Sequence, residues 1–283
     1  MVAAASKQSI AVGDIRVTYL PDGETRLNPT AFFPASTEEA WTLHPEWLDE
    51  EGRLLCSLGG LLIETGDRKV MVDTGFGPRH VEFPGFGPFD GGGLLDSLAE
   101  LKIDPSEIDT VVFTHLHLDH VNAAARQEGD RWVAAFPNAS YLIRDAEWQQ
   151  WAGKNDPAGM YAETEECLGD RVELFDADRS VAPGVSLLST PGHTPGHNSV
   201  VVSSGAARAI ILGDVVHCPV QLDEEEWGCV FDVDSDLARA TRDKLLAELE
   251  DSGTLVAGGH FADFTFGRIM QAEGKRGWII DKG

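Results

Sequence analysis

The chain has 283 residues, 22 of them Lys or Arg and 47 Asp or Glu, so its formal net charge is −25. That surplus of acid excludes the basic footprint needed to bind nucleic acid or an anionic membrane surface. An apolar content of 42% with 24% charged residues is that of a globular protein with a sizeable core. The opening residues, MVAAASKQSIAVGD, have neither the basic n-region nor the apolar h-region of a signal peptide, and no apolar run reaches the length of a membrane span. Four cysteines, Cys56, Cys167, Cys218 and Cys229, lie scattered without a CxxC pair, which predicts reduced thiols in a cytoplasmic protein.

No low-complexity block or Pro/Ser-rich linker divides the chain, so a single domain over residues 1–283 is expected. It comprises an N-terminal extension (1–57), a core bearing the motifs (58–260) and a C-terminal tail (261–283). Strand-length apolar runs occur at 15–20, 58–65 and 69–72, bounded by Gly or Asp. Residues 76–93 are loaded with Gly, Pro and Phe and are expected to be irregular, either a lid over a site or a surface excursion. Leu94, Leu95, Leu98 and Leu101 then share one face of a helix. Further strands are predicted at 110–114 and 140–143, a polar, helix-ambiguous stretch at 153–170, and strands at 185–189, 199–203 and 209–212. A second helix over 236–251 carries Leu237, Thr241, Leu245 and Leu249 on one face, capped by Ser235 or Asp236 and ended by Gly253. Many strands with helices inserted among them indicate an α/β or α+β domain with large sheets.

Histidine is the informative residue. The run His115-Leu116-His117-Leu118-Asp119-His120 directly follows the apolar strand ending at Thr114. On extended backbone, positions two apart point to the same side, so His115 and His117 can grip one cation. After a turn, Asp119 and His120 can face a second position nearby. Neutral imidazole and carboxylate are the donors that Zn²⁺ and neighbouring metals prefer. His193 stands in the stiff loop Thr190-Pro191-Gly192-His193-Thr194-Pro195-Gly196-His197. Asp214 follows an apolar run and Gly213, and His260 follows another and Gly259. Glycine before the ligand lets the backbone turn sharply and approach an ion. His217 and His197 are candidates for orienting a ligand, lining a pocket or packing in the core; His44 and His80 are assigned no role.

The order HxHxDH, His, Asp, His resembles the metallo-β-lactamase superfamily, from about Leu58 to His260. Val70-Met71-Val72-Asp73-Thr74-Gly75 is similar to an early Asp-x-Gly turn of that superfamily, which supports the site from behind. The resemblance implies an α+β fold, an αββα sandwich of two mixed sheets packed face to face with helices outside. It also implies two Zn²⁺ ions, with Mn²⁺, Fe²⁺ or Co²⁺ as substitutes. His115, His117 and His193 would hold one, Asp119, His120 and His260 the other, and Asp214 would bridge them. A hydroxide shared by the cations would attack the substrate, with Asp119 handling the proton in transit and Asp214 completing the catalytic pair.

Within the superfamily, the −25 charge disfavours the nucleic-acid branches, and the absence of Lys or Arg between Asp214 and Arg239 leaves an anionic β-lactam without a partner. The N-terminal length, the 190–197 loop and the 212–222 stretch resemble N-acyl homoserine lactonases and methyl parathion hydrolase-like enzymes. The implied function is a zinc-dependent hydrolase opening a lactone or cleaving an ester of a neutral, fairly apolar small molecule, with a homodimer as the implied assembly. A phosphotriesterase on the same site is the alternative; a β-lactamase, a glyoxalase II-like thioesterase and a non-catalytic metal-binding protein rank behind it. Phe76, Phe83, Phe86 and Phe89, or Trp41, Trp47 and Trp227, are candidate pocket walls or core. Asn122 stands where many relatives carry glycine and could narrow the site or donate to substrate.

Overall fold

The computed structural model describes residues 2–272 and 274–281, and its strands are apolar at successive positions because both of their faces are covered. Val70 and Val72 point into the space between two sheets while Met71 points outward, and Leu61 and Ile63 alternate with Leu62 in the same way. In the facing sheet Val200 and Val202 point inward and Val201 outward, as do Ala209 and Ile211 against Ile210. Helices cover the outer faces. Leu94 and Leu98 of Leu94–Glu100 and Trp151 of Asp145–Trp151 pack on one side; Leu245, Leu246 and Leu249 of Ser235–Leu249 pack on the other. Helix, sheet, sheet, helix is the αββα sandwich that the motif order implies.

The first sheet runs Val172–Phe175, Ser140–Arg144, Thr110–Val112, Arg68–Val72, Leu54–Thr65, Ile15–Leu27, Gly87–Asp90, His80–Phe83, with Gln8–Val12 also paired to Ile15–Leu27. The second runs Ser180–Ala182, Val185–Ser189, Asn198–Ser204, Ala207–Ile211, Leu255–Ala257, Phe266–Ala272, Lys275–Ile280. Both sheets are mixed. Arg68–Val72, Thr110–Val112 and Ser140–Arg144 are parallel neighbours, and so are Ala207–Ile211 and Leu255–Ala257. The loops that leave the carboxyl ends of these parallel strands carry six of the seven candidate ligands, and His193 joins them at one edge of the sandwich from the loop between the antiparallel strands Val185–Ser189 and Asn198–Ser204. Among the described residues no helix is long and apolar enough to cross a membrane.

Two expectations about elements are corrected, and the ambiguity at 153–170 is resolved. The 76–93 stretch contains a hairpin at the edge of the first sheet, His80–Phe83 outermost and Gly87–Asp90 inside it; Pro88 lies just outside the Phe89–Asp90 register with Ile15–Leu27. The 153–170 stretch contains the helix Ala162–Leu168. The last long helix is capped by Asp234, whose carboxylate accepts the Leu237 amide at 3.0 Å, and it ends at Leu249 rather than at Gly253. Its buried stripe is Ala238, Arg242, Leu245, Leu246 and Leu249, so the expected face is one residue out of phase in the first half, and Leu237 is 41% exposed. Truncation of Leu246 to alanine is therefore expected to cost about 2–5 kcal/mol in denaturant unfolding. Leu237→Ala should stay within about 0.5 kcal/mol; equal losses would contradict the observed phase.

Candidate metal centre

The seven candidate ligands, drawn from loops of both sheets, come together. His115 and His117 leave the end of Thr110–Val112, and His117 (φ −68°, ψ 152°) opens the short helix Leu118–Val121, whose first turn carries Asp119 and His120 away from them. His115 Nε2 lies 3.1 Å from His117 Nδ1, which is 2.9 Å from His193 Nε2. Beside this group, His120 Nε2 and His260 Nε2 are 3.1 Å apart, and Asp119 oxygens lie 3.9 and 3.6 Å from them. Asp214 stands between the groups. Its Oδ2 is 3.3 Å from His193 Nε2 and 3.7 Å from His115 Nε2, while Oδ1 is 3.3 Å from both His120 Nε2 and His260 Nε2. Donor atoms around a tetrahedral ion with bonds of about 2.0–2.1 Å are about 3.3 Å apart, so both groups have the spacing of a cation's ligands.

Ring orientation makes the same point chemically. His120 Nδ1 bonds to Asp73 Oδ2 at 2.9 Å, His260 Nδ1 to the Ser57 carbonyl at 2.9 Å and His193 Nδ1 to Asp232 Oδ1 at 2.8 Å. Each of these nitrogens must donate, so in a neutral ring Nε2 carries a lone pair aimed into the centre. His115 follows suit: the Thr114 hydroxyl donates to Asp73 Oδ2, leaving its oxygen to accept His115 Nδ1–H at 3.0 Å. Carboxylate and carbonyl partners of this kind fix the tautomer of metal-binding histidines. Lone pairs converging at such distances fit a divalent cation in each group.

Charge is distributed unevenly between the groups. Burial holds His115 and His117 well below the usual imidazole range and His193 down to about 3. Burial also pulls on His120 and His260, but Asp214, with Asp119 and for His120 also Asp73, outweighs it and raises both rings, His120 strongly. Burial would raise Asp214, yet the surrounding imidazoles hold its carboxyl well below its ordinary value.

The remaining candidates sort by contact. His197, held neutral at about 3 by burial, accepts the Asp214 amide on Nε2 at 2.9 Å, its Nδ1 facing the Thr190 carbonyl. This contact explains Gly213, which has φ +58° and where a Cβ would lie 2.5 Å from His197 Nε2. His217 lines the cavity, both ring nitrogens without a hydrogen-bond partner and Nε2 3.2 Å from Asp214 Oδ2. Asn122 is turned away: its side-chain oxygen accepts from the Tyr161 amide and the Thr164 hydroxyl. His44 and His80 pair with Glu224 and Asp90. Sequence reasoning missed Asp232, Ser57 and Asp22. Asp232 is a single acid among several in its stretch, and Ser57 acts through its carbonyl, so neither carries a sequence signal.

A cavity of about 270 Å³ opens over the ligands. Phe83, Phe86 and Phe89 of the hairpin line it together with Phe32, Phe231 and Leu118, and no Lys or Arg does so among the described residues. Phe76 is buried behind Phe89, and Trp41 and Trp227 pack on one another in the core beneath Phe33.

The family model of the metallo-beta-lactamase superfamily matches residues 61–260. The chain belongs to this superfamily. Its likeness within it is to hydrolases. An N-acyl homoserine lactonase of Bacillus thuringiensis is 25% identical over 252 residues, covering 83% of this chain and 89% of its own. An N-acyl homoserine lactonase of a Bacillus species is 26% identical over 216 residues, 70% and 79% of the two chains. Among solved structures, AidC, a dizinc quorum-quenching lactonase, superposes with a TM-score of 0.85 at 22% identity over 99% of both chains. The hydrolase AbOPH superposes at 0.81 with 26% identity over 98% of both. The superfamily segment spans every candidate ligand, whereas Asp22, Phe32 and Ser57 come from residues preceding it.

The uneven charge has a measurable consequence. In the metal-free protein, filling the His115, His117 and His193 group displaces no ring proton near neutrality, because burial keeps those rings neutral. Filling the Asp119, His120 and His260 group displaces the ring proton that the carboxylates favour on the His120 and His260 pair. Affinity there should rise with pH through neutrality, by about tenfold per unit for each proton displaced, while the other affinity stays level. Calorimetric titration in buffers of different ionisation enthalpy separates the two steps; equal pH slopes would contradict the assignment.

Proposed function

We propose that the protein is a dinuclear metal-dependent hydrolase that opens the ring of a neutral, largely apolar lactone, such as an N-acyl homoserine lactone, or cleaves an ester of that character. The observation that carries this reading is the Asp214 carboxylate, one oxygen toward each ligand group, at the floor of a cavity with phenylalanine walls. His115, His117 and His193 would hold one cation, Asp119, His120 and His260 the other, and Asp214 both. The nitrogen and oxygen donor set suits Zn²⁺ and also accepts Mn²⁺, Fe²⁺ or Co²⁺. Bound there, the cations supply a Lewis acid for the substrate oxygen and an acidified water as nucleophile.

The chain's own groups do the rest. Asp119 is the ligand least enclosed by protein, and its carboxylate lines the cavity, where Oδ1 or Oδ2 can take the proton released on attack and return it to the departing alkoxide. The His217 ring lines the cavity beside Asp214 Oδ2 and shapes the space open to the substrate. The phenylalanine walls exclude bulk water and take an acyl or aryl group, and the lack of a lining cation matches an uncharged substrate. Lactonase relatives support the carbonyl reading. The unpaired state of all four cysteines supports a reducing, cytoplasmic compartment.

Metal-loaded protein assayed on N-acyl homoserine lactones of increasing chain length, an aryl ester and a phosphotriester tests the reading. The expected result is a higher kcat/KM for a lactone or ester than for the phosphotriester. No turnover of any of them with two cations bound would refute the substrate class, and a phosphotriester preference would transfer the site to phosphoryl chemistry. Asp214→Ala is expected to lose both cations and fall to the activity of the metal-free protein; retention of both would contradict the shared carboxylate.

A further inference from the structure

The helix Asp145–Trp151, which follows the parallel strand Ser140–Arg144, supplies no ligand yet turns a buried carboxylate toward the centre. Glu147 is 1% exposed. Its Oε1 accepts the Leu116 amide at 3.0 Å and its Oε2 the Gly196 amide at 2.9 Å. Leu116 stands between His115 and His117, at the end of a first-sheet strand; Gly196 belongs to the loop of the second sheet that carries His193. One carboxylate therefore ties two ligand-bearing segments that approach from facing sheets. The contact is tight, because a Cβ on Gly196 would fall 2.4 Å from the Glu147 amide nitrogen. One turn along the helix, Trp151 sets its ring against that of His117, centroids 4.9 Å apart at 73°. Burial pushes the Glu147 carboxyl up against the pull of the Leu116 and Gly196 amides. A carboxylate held at that cost makes both of its backbone bonds to ligand loops. The other group is held separately, His120 by Asp73 and His260 by the Ser57 carbonyl.

We propose that Glu147 is a positioning residue for one half of the metal centre. By fixing the separation between the His115–His117 backbone and the His193 loop, it sets the cation affinity of that half and leaves the Asp119, His120 and His260 half unchanged. This inference rests on the dinuclear reading above.

Single-site backgrounds separate the halves: His260→Ala weakens the second group, and His193→Ala weakens the first. In the His260→Ala background, Glu147→Ala is expected to lower Zn²⁺ affinity, read by chelator competition, by about 10–100-fold. In the His193→Ala background the same change should leave affinity where it was. Glu147→Gln is nearly isosteric, keeps one acceptor oxygen and turns an amide NH₂ toward the other backbone N–H. It keeps the fold, checked by thermal melting of the metal-free protein, and its loss falls at the low end of that range in the first background alone. Equal losses in both backgrounds, or none in the first, overturn the proposal. Failure of the unmodified protein to bind two cations overturns the dinuclear reading and this proposal with it.

Discussion

Imidazole nitrogens whose lone-pair positions face one another are gathered around a single carboxylate in this protein. His120 and His260 face each other through Nε2 at 3.1 Å, and His117 Nδ1 sits within 3.1 Å of two further ring nitrogens. Most of these rings have the opposite nitrogen committed as a donor to Asp73, Asp232, Thr114 or the Ser57 carbonyl, so they cannot turn to relieve the crowding. Buried lone pairs at such range repel unless positive charge lies among them. In the metal-free protein the neighbouring carboxylates favour a ring proton on the His120 and His260 pair, which supplies part of that charge. Divalent cations supply it more completely.

The scaffold serves that constraint. Parallel strands in both sheets end at the same edge, so short loops deliver ligands from opposite sides, and the apolar layer between the sheets fixes their separation. The same edge builds the wall of the cavity. Asp22 is a buried carboxylate that accepts the amides of Phe76, Gly77, Gly92 and Leu94 at 2.8–3.1 Å, gathering both ends of the segment that bears the hairpin. Phe83, Phe86 and Phe89 are thereby presented over the ligands, so an edge hairpin and a buried acid outside the ligand groups define what can reach them.

Much of this was legible in the sequence, for a physical reason. Metal ligands must sit where backbone is free to bend, and strand ends preceded by glycine are such places, so the ligand candidates carry their own spacing. The inward and outward alternation was legible as strands because both faces are buried. The hairpin was not, since glycine and proline mark edges as well as loops. The phase of the last helix was misread because Arg242, a charged residue, is buried while Leu237 faces solvent. Asp22, Asp232 and Ser57 were invisible for another reason: they meet their partners across 54, 39 and 203 residues respectively, and nothing local distinguishes them.

The central claim is that one carboxylate is shared between two cations. Anomalous scattering from crystals of the zinc-loaded protein tests it most directly, through the number and position of the peaks. The predicted result is a pair of peaks, one among His115, His117 and His193 and one among Asp119, His120 and His260, with an oxygen of Asp214 on each. A single peak, or a pair in which Asp214 contacts only one, would contradict it.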